Sequence, residues 1–118
     1  MTRFELDEAG IRARGLLGAA IRWEDLCSLR LDYYSTRRDP EGRTMQGGWM
    51  QLKLRGSRHT WRTWRTSATL RIDSELEGFA DLVRAVAFEA RRRGVNFDWA
   101  TRANLHVLGI DPALAEAA

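Results

Sequence analysis

The chain is poor in the residues on which most covalent and metal chemistry depends. Among its 118 residues there is one Cys and there are two His. A lone Cys27 excludes an internal disulfide and any multi-cysteine metal site, and it fits a reducing cytoplasm. His59 and His106 stand in no metal-ligand spacing. Lys is almost missing as well: Lys53 is the only one, so Arg carries the positive charge. Arg binds carboxylate and phosphate bidentately, although a genome rich in Arg, Ala and Gly codons would give the same bias. No apolar run approaches the roughly 20 residues of a membrane span. Glu5, Asp7 and Glu8 occupy the place where a signal peptide needs an apolar segment, so the expected location is cytoplasmic.

The composition that remains is that of one domain, with 44% hydrophobic residues and a formal charge of +3. Apolar residues at Leu76, Phe79, Leu82, Val83, Val86, Ala87 and Ala90 recur at the spacing of one helix face. Ser74 and Glu77 have the spacing of a capping box. Arg91, Arg92 and Arg93 fill the last turn, and Gly94 supplies a left-handed stop. This pattern predicts a helix over 75–93. Gly78 inside it suggests either close approach to a sheet or tolerated drift.

Upstream of the helix the pattern is that of strands. Phe4 and Leu6 alternate with charged residues, as do Ile11 and Ala13 after a short turn at 8–10. Ala19 to Trp23 reads as a third strand. Cys27, Leu29, Leu31 and Tyr33 give a fourth, with those four side chains inward. Residues 37–48 carry Pro40, Gly42, Gly47 and Gly48 without periodicity and read as the longest loop. Met50, Leu52 and Leu54 mark a fifth strand, and 56–59 a turn. Residues 61–73 hold one or two more strands, with Ala68, Leu70 and Ile72 on one face and Trp64 sharing it if the strand is unbroken. Asp98 caps a short helix from Trp99 to Leu108, ended by Gly109 and Pro112. The expected fold is mainly β, with six or seven antiparallel strands in consecutive hairpins. A helix closes the arrangement, and the extension over 95–118 belongs to the same domain.

Two segments carry a family resemblance. Ile21-Arg22-Trp23-Glu24-Asp25-Leu26 and Thr69-Leu70-Arg71-Ile72-Asp73-Ser74-Glu75-Leu76-Glu77-Gly78-Phe79 are similar to segments of the bacterial pleckstrin-homology-like domains. The likeness covers about residues 3–94. It implies a strongly bent PH-like barrel capped by its C-terminal α-helix. It also implies a binding or assembly role rather than catalysis, with no cofactor and no small-molecule substrate. Lipid-binding relatives hold headgroups with a basic loop between the first two strands. Here that loop is Asp7-Glu8-Ala9-Gly10, whose carboxylates repel phosphate.

The residues themselves offer no catalytic set. On the inward parity of its strand, Cys27 reads as a small core residue. Asp73, Glu75 and Glu77 read as cap positions and a solvated residue. What remains is a cluster of Arg and Trp: Arg58, Trp61, Arg62 and Arg65 around one turn, Arg37, Arg38 and Arg43 in the long loop, and Trp49 on the outward parity of its strand. Both segments are expected near one end of the barrel. Such residues serve a protein interface, including a homo-oligomer. They also suit an anionic membrane at its inner face, or single-stranded nucleic acid. Trp in the core and Arg in water is the plainer alternative. The protein partner is the leading expectation.

Overall fold

The computed structural model describes residues 3–14, 19–38, 44–59 and 65–111. Among the described residues six strands precede two helices: β1 Arg3–Leu6, β2 Gly10–Arg14, β3 Ala20–Arg22, β4 Leu26–Arg38, β5 Thr44–His59, β6 Arg65–Asp73, α1 Phe79–Arg92 and α2 Trp99–Val107. A single 3₁₀ turn, Trp23–Asp25, joins β3 to β4. The strands form two antiparallel sheets ordered β1-β2-β3 and β4-β5-β6. Among the described residues no hydrogen-bonded ladder joins one sheet to the other, and the two sheets share one core.

The inner faces follow the alternation in the sequence. Ile11 pairs with Ile21 in the first sheet, and Leu31, Leu52 and Ile72 stand abreast in the second. All five are at most 2% exposed. Helix α1 buries Phe79, Val83, Val86, Ala87 and Ala90 in the same cluster. Each large apolar side chain so buried contributes about 1.5–3 kcal/mol. That sum, rather than helix propensity, holds α1 in place. No helix among the described residues is long and apolar enough to cross a membrane.

The helix begins later than its apolar periodicity suggests. Its N-cap is Gly78 at φ 77°, with no side-chain cap. Ser74 belongs instead to the end of β6, where its hydroxyl accepts from the Met50 N–H at 2.9 Å and its own N–H donates to the Met50 carbonyl. The expected capping box is therefore absent. Nothing lies within 4 Å of a Cβ built at Gly78, so backbone conformation, not close approach, explains that glycine. The far end is as expected. The Val95 N–H reaches back to Ala90 and that of Gly94 to Arg91, a Schellman motif with Gly94 at φ 78°. Asp98 caps α2 by accepting from the Thr101 N–H at 2.7 Å.

Two irregularities in register overturn other expectations. Leu26 lies opposite Gly56 and Ser28 opposite Arg55, leaving Cys27 as an extra residue. The parity of β4 shifts there: Leu26 and Leu29 are buried, and Cys27 is exposed, not a core residue. Further along, Tyr34 pairs with Trp49 and Thr36 with Gln46, so Ser35 alone faces Gly47 and Gly48. This second shift hides the strand periodicity of 37–48. Most of that stretch is strand and not loop, with 39–43 outside the described residues. The expected turn at 56–59 is also strand. Gly56 is buried because β3 crosses β5 there, and a Cβ would come within 2.7 Å of Ile21 Cγ2.

Candidate functional site

The outer face of the second sheet carries charge in rows set by the register. Arg30, Lys53 and Arg71 stand directly abreast across β4, β5 and β6. Adjacent strands are about 4.8 Å apart, and like charges placed directly opposite are destabilising. Arg55, exposed, lies two residues along β5 from Lys53 on the same face. The next row toward the other end is Asp32, Gln51 and Asp73. Its carboxylates are engaged: Asp32 with Arg30 at 3.4 Å, and Asp73 accepting from the Gln51 amide at 3.1 Å. Beyond it, Tyr34 and Trp49 stack with centroids 4.6 Å apart and planes 23° from parallel.

Helix α2 runs along the free edge of β4. The Leu31 N–H donates to Thr101 Oγ1 at 3.2 Å, and the Leu31 carbonyl accepts from the Asn104 amide at 2.6 Å. Thr101 is fully buried in making this contact. Between β4 and α2 lies an open groove of about 490 Å³, lined from β4 by Arg30, Asp32, Tyr33 and Tyr34 and from α2 by Trp99, Ala100, Ala103 and Asn104. Ala100 and Ala103 make a small-residue floor. Tyr33, Tyr34 and Trp99 are 54%, 40% and 78% exposed, which leaves three large rings facing solvent around it. The Tyr33 ring lies against the Gly48 backbone, where any Cβ would collide with it. Hydrogen bonds from Thr101 hold the Asp98 carboxyl below its ordinary value of 3.8, with smaller help from the charges of Arg30 and Arg102. A carboxylate thus persists at the N-terminus of α2.

The residues singled out in the sequence are not brought together. Arg37 and Arg38 end β4 opposite Met45 and Thr44, whereas Arg58 and Arg65 sit by the far end of β5 opposite Thr66 and His59. Thr44 and Arg58 are roughly 45 Å apart along the strand at ~3.3 Å per residue. The two segments therefore occupy opposite ends of β5 and not one end of a barrel. Arg43, Trp61, Arg62 and Trp64 lie outside the described residues. Trp49 is half-buried against Tyr34 rather than standing alone. The cation row and the groove went unread because each member is an ordinary outward residue of its own element, and only the pairing register sets them side by side. Trp99 carried a signal: a large apolar ring at the first position of a short helix, beside its Asp98 cap.

The acidic loop between β1 and β2 is closed on itself. The Asp7 carboxylate accepts from the Ala9 and Gly10 N–H groups at 2.8 and 3.0 Å and from Arg12 at 2.7 Å. These bonds, the one from Ala9 foremost, hold its carboxyl below 3.8.

The fold and this surface define a mainly β domain with an uncovered, cationic sheet face bordered by an aromatic groove. No protein-family model matches the chain, no curated protein sequence matches it, and no solved structure matches it.

Proposed function

We propose that the chain is a non-enzymatic interaction module that receives a macromolecular partner across the outer face of β4–β6 and the groove beside α2. The observation that carries this is the set of exposed rings, Tyr33, Tyr34 and Trp99, around the Ala100–Ala103 floor. Large apolar groups grouped in this way mark contact surfaces, and aromatic residues with Arg supply most of the energy in such contacts. We also take the two sheets followed by a helix as an open form of the pleckstrin-homology-like arrangement. The antiparallel hairpins and the helix directly after β6 support that reading.

The reading is tested without knowing the partner. If the rings exist for contact, they do little for the fold. Trp99→Ala then shifts the melting temperature by no more than about 3 °C, the range of surface substitutions. Leu105→Ala, in the same helix and fully buried, serves as the contrast and costs about 2–5 kcal/mol. A Trp99→Ala protein that melts as early as the Leu105 variant would assign the ring to the fold and end the proposal. Light scattering identifies assembly as the role if a mass above 13.5 kDa falls on the Trp99 substitution.

A further inference from the structure

We infer that the partner of this surface is single-stranded nucleic acid, its phosphates on the Arg30–Lys53–Arg71 row and its bases in the groove; the inference rests on the contact surface proposed above. The cations come first. Among the described residues, Lys53, Arg55 and Arg71 have no carboxylate within 4.0 Å, while the carboxylates of the adjoining row are held by Arg30 and Gln51. Lys53 and Arg71, directly opposite on an uncovered sheet, repel one another, and an anionic chain laid across the strands removes that repulsion. The row also leads somewhere. Arg30 is at once its last member and a wall of the groove, so a chain crossing from β6 to β4 arrives between Tyr34 and Trp99. A backbone-tracking cationic strip that ends on exposed rings is the arrangement by which proteins hold single strands.

The other polyanions fit less of the surface. Duplex DNA keeps its base faces stacked inside, so it offers phosphates to the row and nothing to the rings. An anionic bilayer would press headgroups on the whole face, including the carboxylates of Asp32 and Asp73 one row away. With a single strand those same groups are useful. Asp32 is part of the groove lining, where a carboxylate accepts hydrogen bonds from the exocyclic amines of bases. An acidic peptide has charge for the row but brings a flat ring only at its aromatic residues, whereas every nucleotide carries one.

The experiment is fluorescence anisotropy of a short labelled single-stranded oligonucleotide, as DNA and as RNA, over a salt series. Blunt duplex, poly-glutamate and phosphatidylserine vesicles serve as competitors. Binding is expected to weaken linearly in log affinity against log salt. Lys53→Gln and Arg71→Gln should each make that slope shallower by about 0.7. Trp99→Ala should lower affinity on the order of tenfold with the slope unchanged. Circular dichroism confirms that these exposed variants are folded. No binding at low salt, a slope that both charge variants leave untouched, or competition by duplex, poly-glutamate or vesicles as effective as by the unlabelled strand would overturn the inference. If the oligonucleotide fails while Trp99→Ala leaves the melting temperature unmoved, the contact surface stands and only the nucleic-acid assignment falls.

Discussion

The side-chain amide of Asn104 donates to the main-chain carbonyl of Leu31 at 2.6 Å, from a residue 73 positions further along the chain. Together with the Leu31 N–H bonded to Thr101, it satisfies both edge groups of one β4 residue with side chains of a helix. An open sheet edge invites pairing with other chains, and α2 closes this one at its middle. Asn104→Ala leaves the Leu31 carbonyl unpaired and Thr101→Val does the same to the N–H. Each should cost about 1–3 kcal/mol, read as a lower urea midpoint at constant m-value. Hydrogen exchange at the Leu31 amide should quicken in the Thr101→Val protein. Exchange no faster than in the unmodified chain would mean that α2 does not guard this edge in solution.

The C-terminal stop of α1 isolates a purely conformational effect. Gly94 has φ 78°, and nothing lies within 4 Å of a Cβ built there. Gly94→Ala therefore meets no steric obstacle beyond its own backbone. The expected loss is about 1–2 kcal/mol, the strain of an L-residue in the left-handed region. A D-alanine at 94, introduced by semisynthesis, should recover stability or exceed it. A D-residue as damaging as the L-residue would show that something other than φ limits this position.

Acid should loosen the molecule at two ends. Asp7 and Asp98 both have carboxyls held below the ordinary 3.8 by hydrogen bonds that favour the charged form. A folded-state value below the unfolded one gives stabilisation that is complete above the unfolded value and is lost as pH falls through the folded one. The melting temperature should hold steady near neutrality and begin to fall once pH drops toward 4. Asp98→Asn keeps a side chain able to cap α2, so it should change little at neutral pH and flatten the acid limb. An acid limb identical in the Asp7→Asn, Asp98→Asn and unmodified proteins would place the titrating groups elsewhere.

How far the sequence foretold this depended on whether parity survived along each strand. Phe4 to Ala13 and Leu52 to Leu54 keep strict alternation, and their strands lie where the pattern puts them. The second helix was legible from Asp98 and Gly109 because caps are local chemistry. Legibility failed at the register shifts. The extra residue Cys27 turned its neighbours over, and the pair Gly47–Gly48 facing one Ser35 made strand look like loop. Glycine misled in another way: Gly56 reads as a turn, but it marks the crossing of β3 over β5. The candidate site failed for a related reason. Reading 37–48 as a loop and 56–59 as a turn brings Arg37 and Arg58 to one end of the fold, whereas 16-residue β5 holds them apart. Lys53 and Arg71, 18 positions apart, are meanwhile direct neighbours.

The thiol of Cys27 gives the cleanest check on the register shift itself. Strict alternation with Leu29 and Leu31 would bury it. The extra residue between Leu26 and Ser28 instead turns it outward, with Sγ 3.3 Å from the Arg55 carbonyl oxygen. A buried thiol reacts only through unfolding, whereas an exposed one reacts from the native state. A disulfide reagent should therefore modify one thiol per chain without denaturant, at a rate that rises little when urea is added below the unfolding transition. Cys27→Ser should be nearly neutral, within the about 0.5 kcal/mol typical of surface substitutions. It replaces a weak donor with a stronger one near the same carbonyl. Labelling that waits for global unfolding, together with a Cys27→Ser loss as large as a core substitution, would return Cys27 to the interior. The register of β4 on β5 would then have to be redrawn, and with it the row that sets Arg30 beside Lys53.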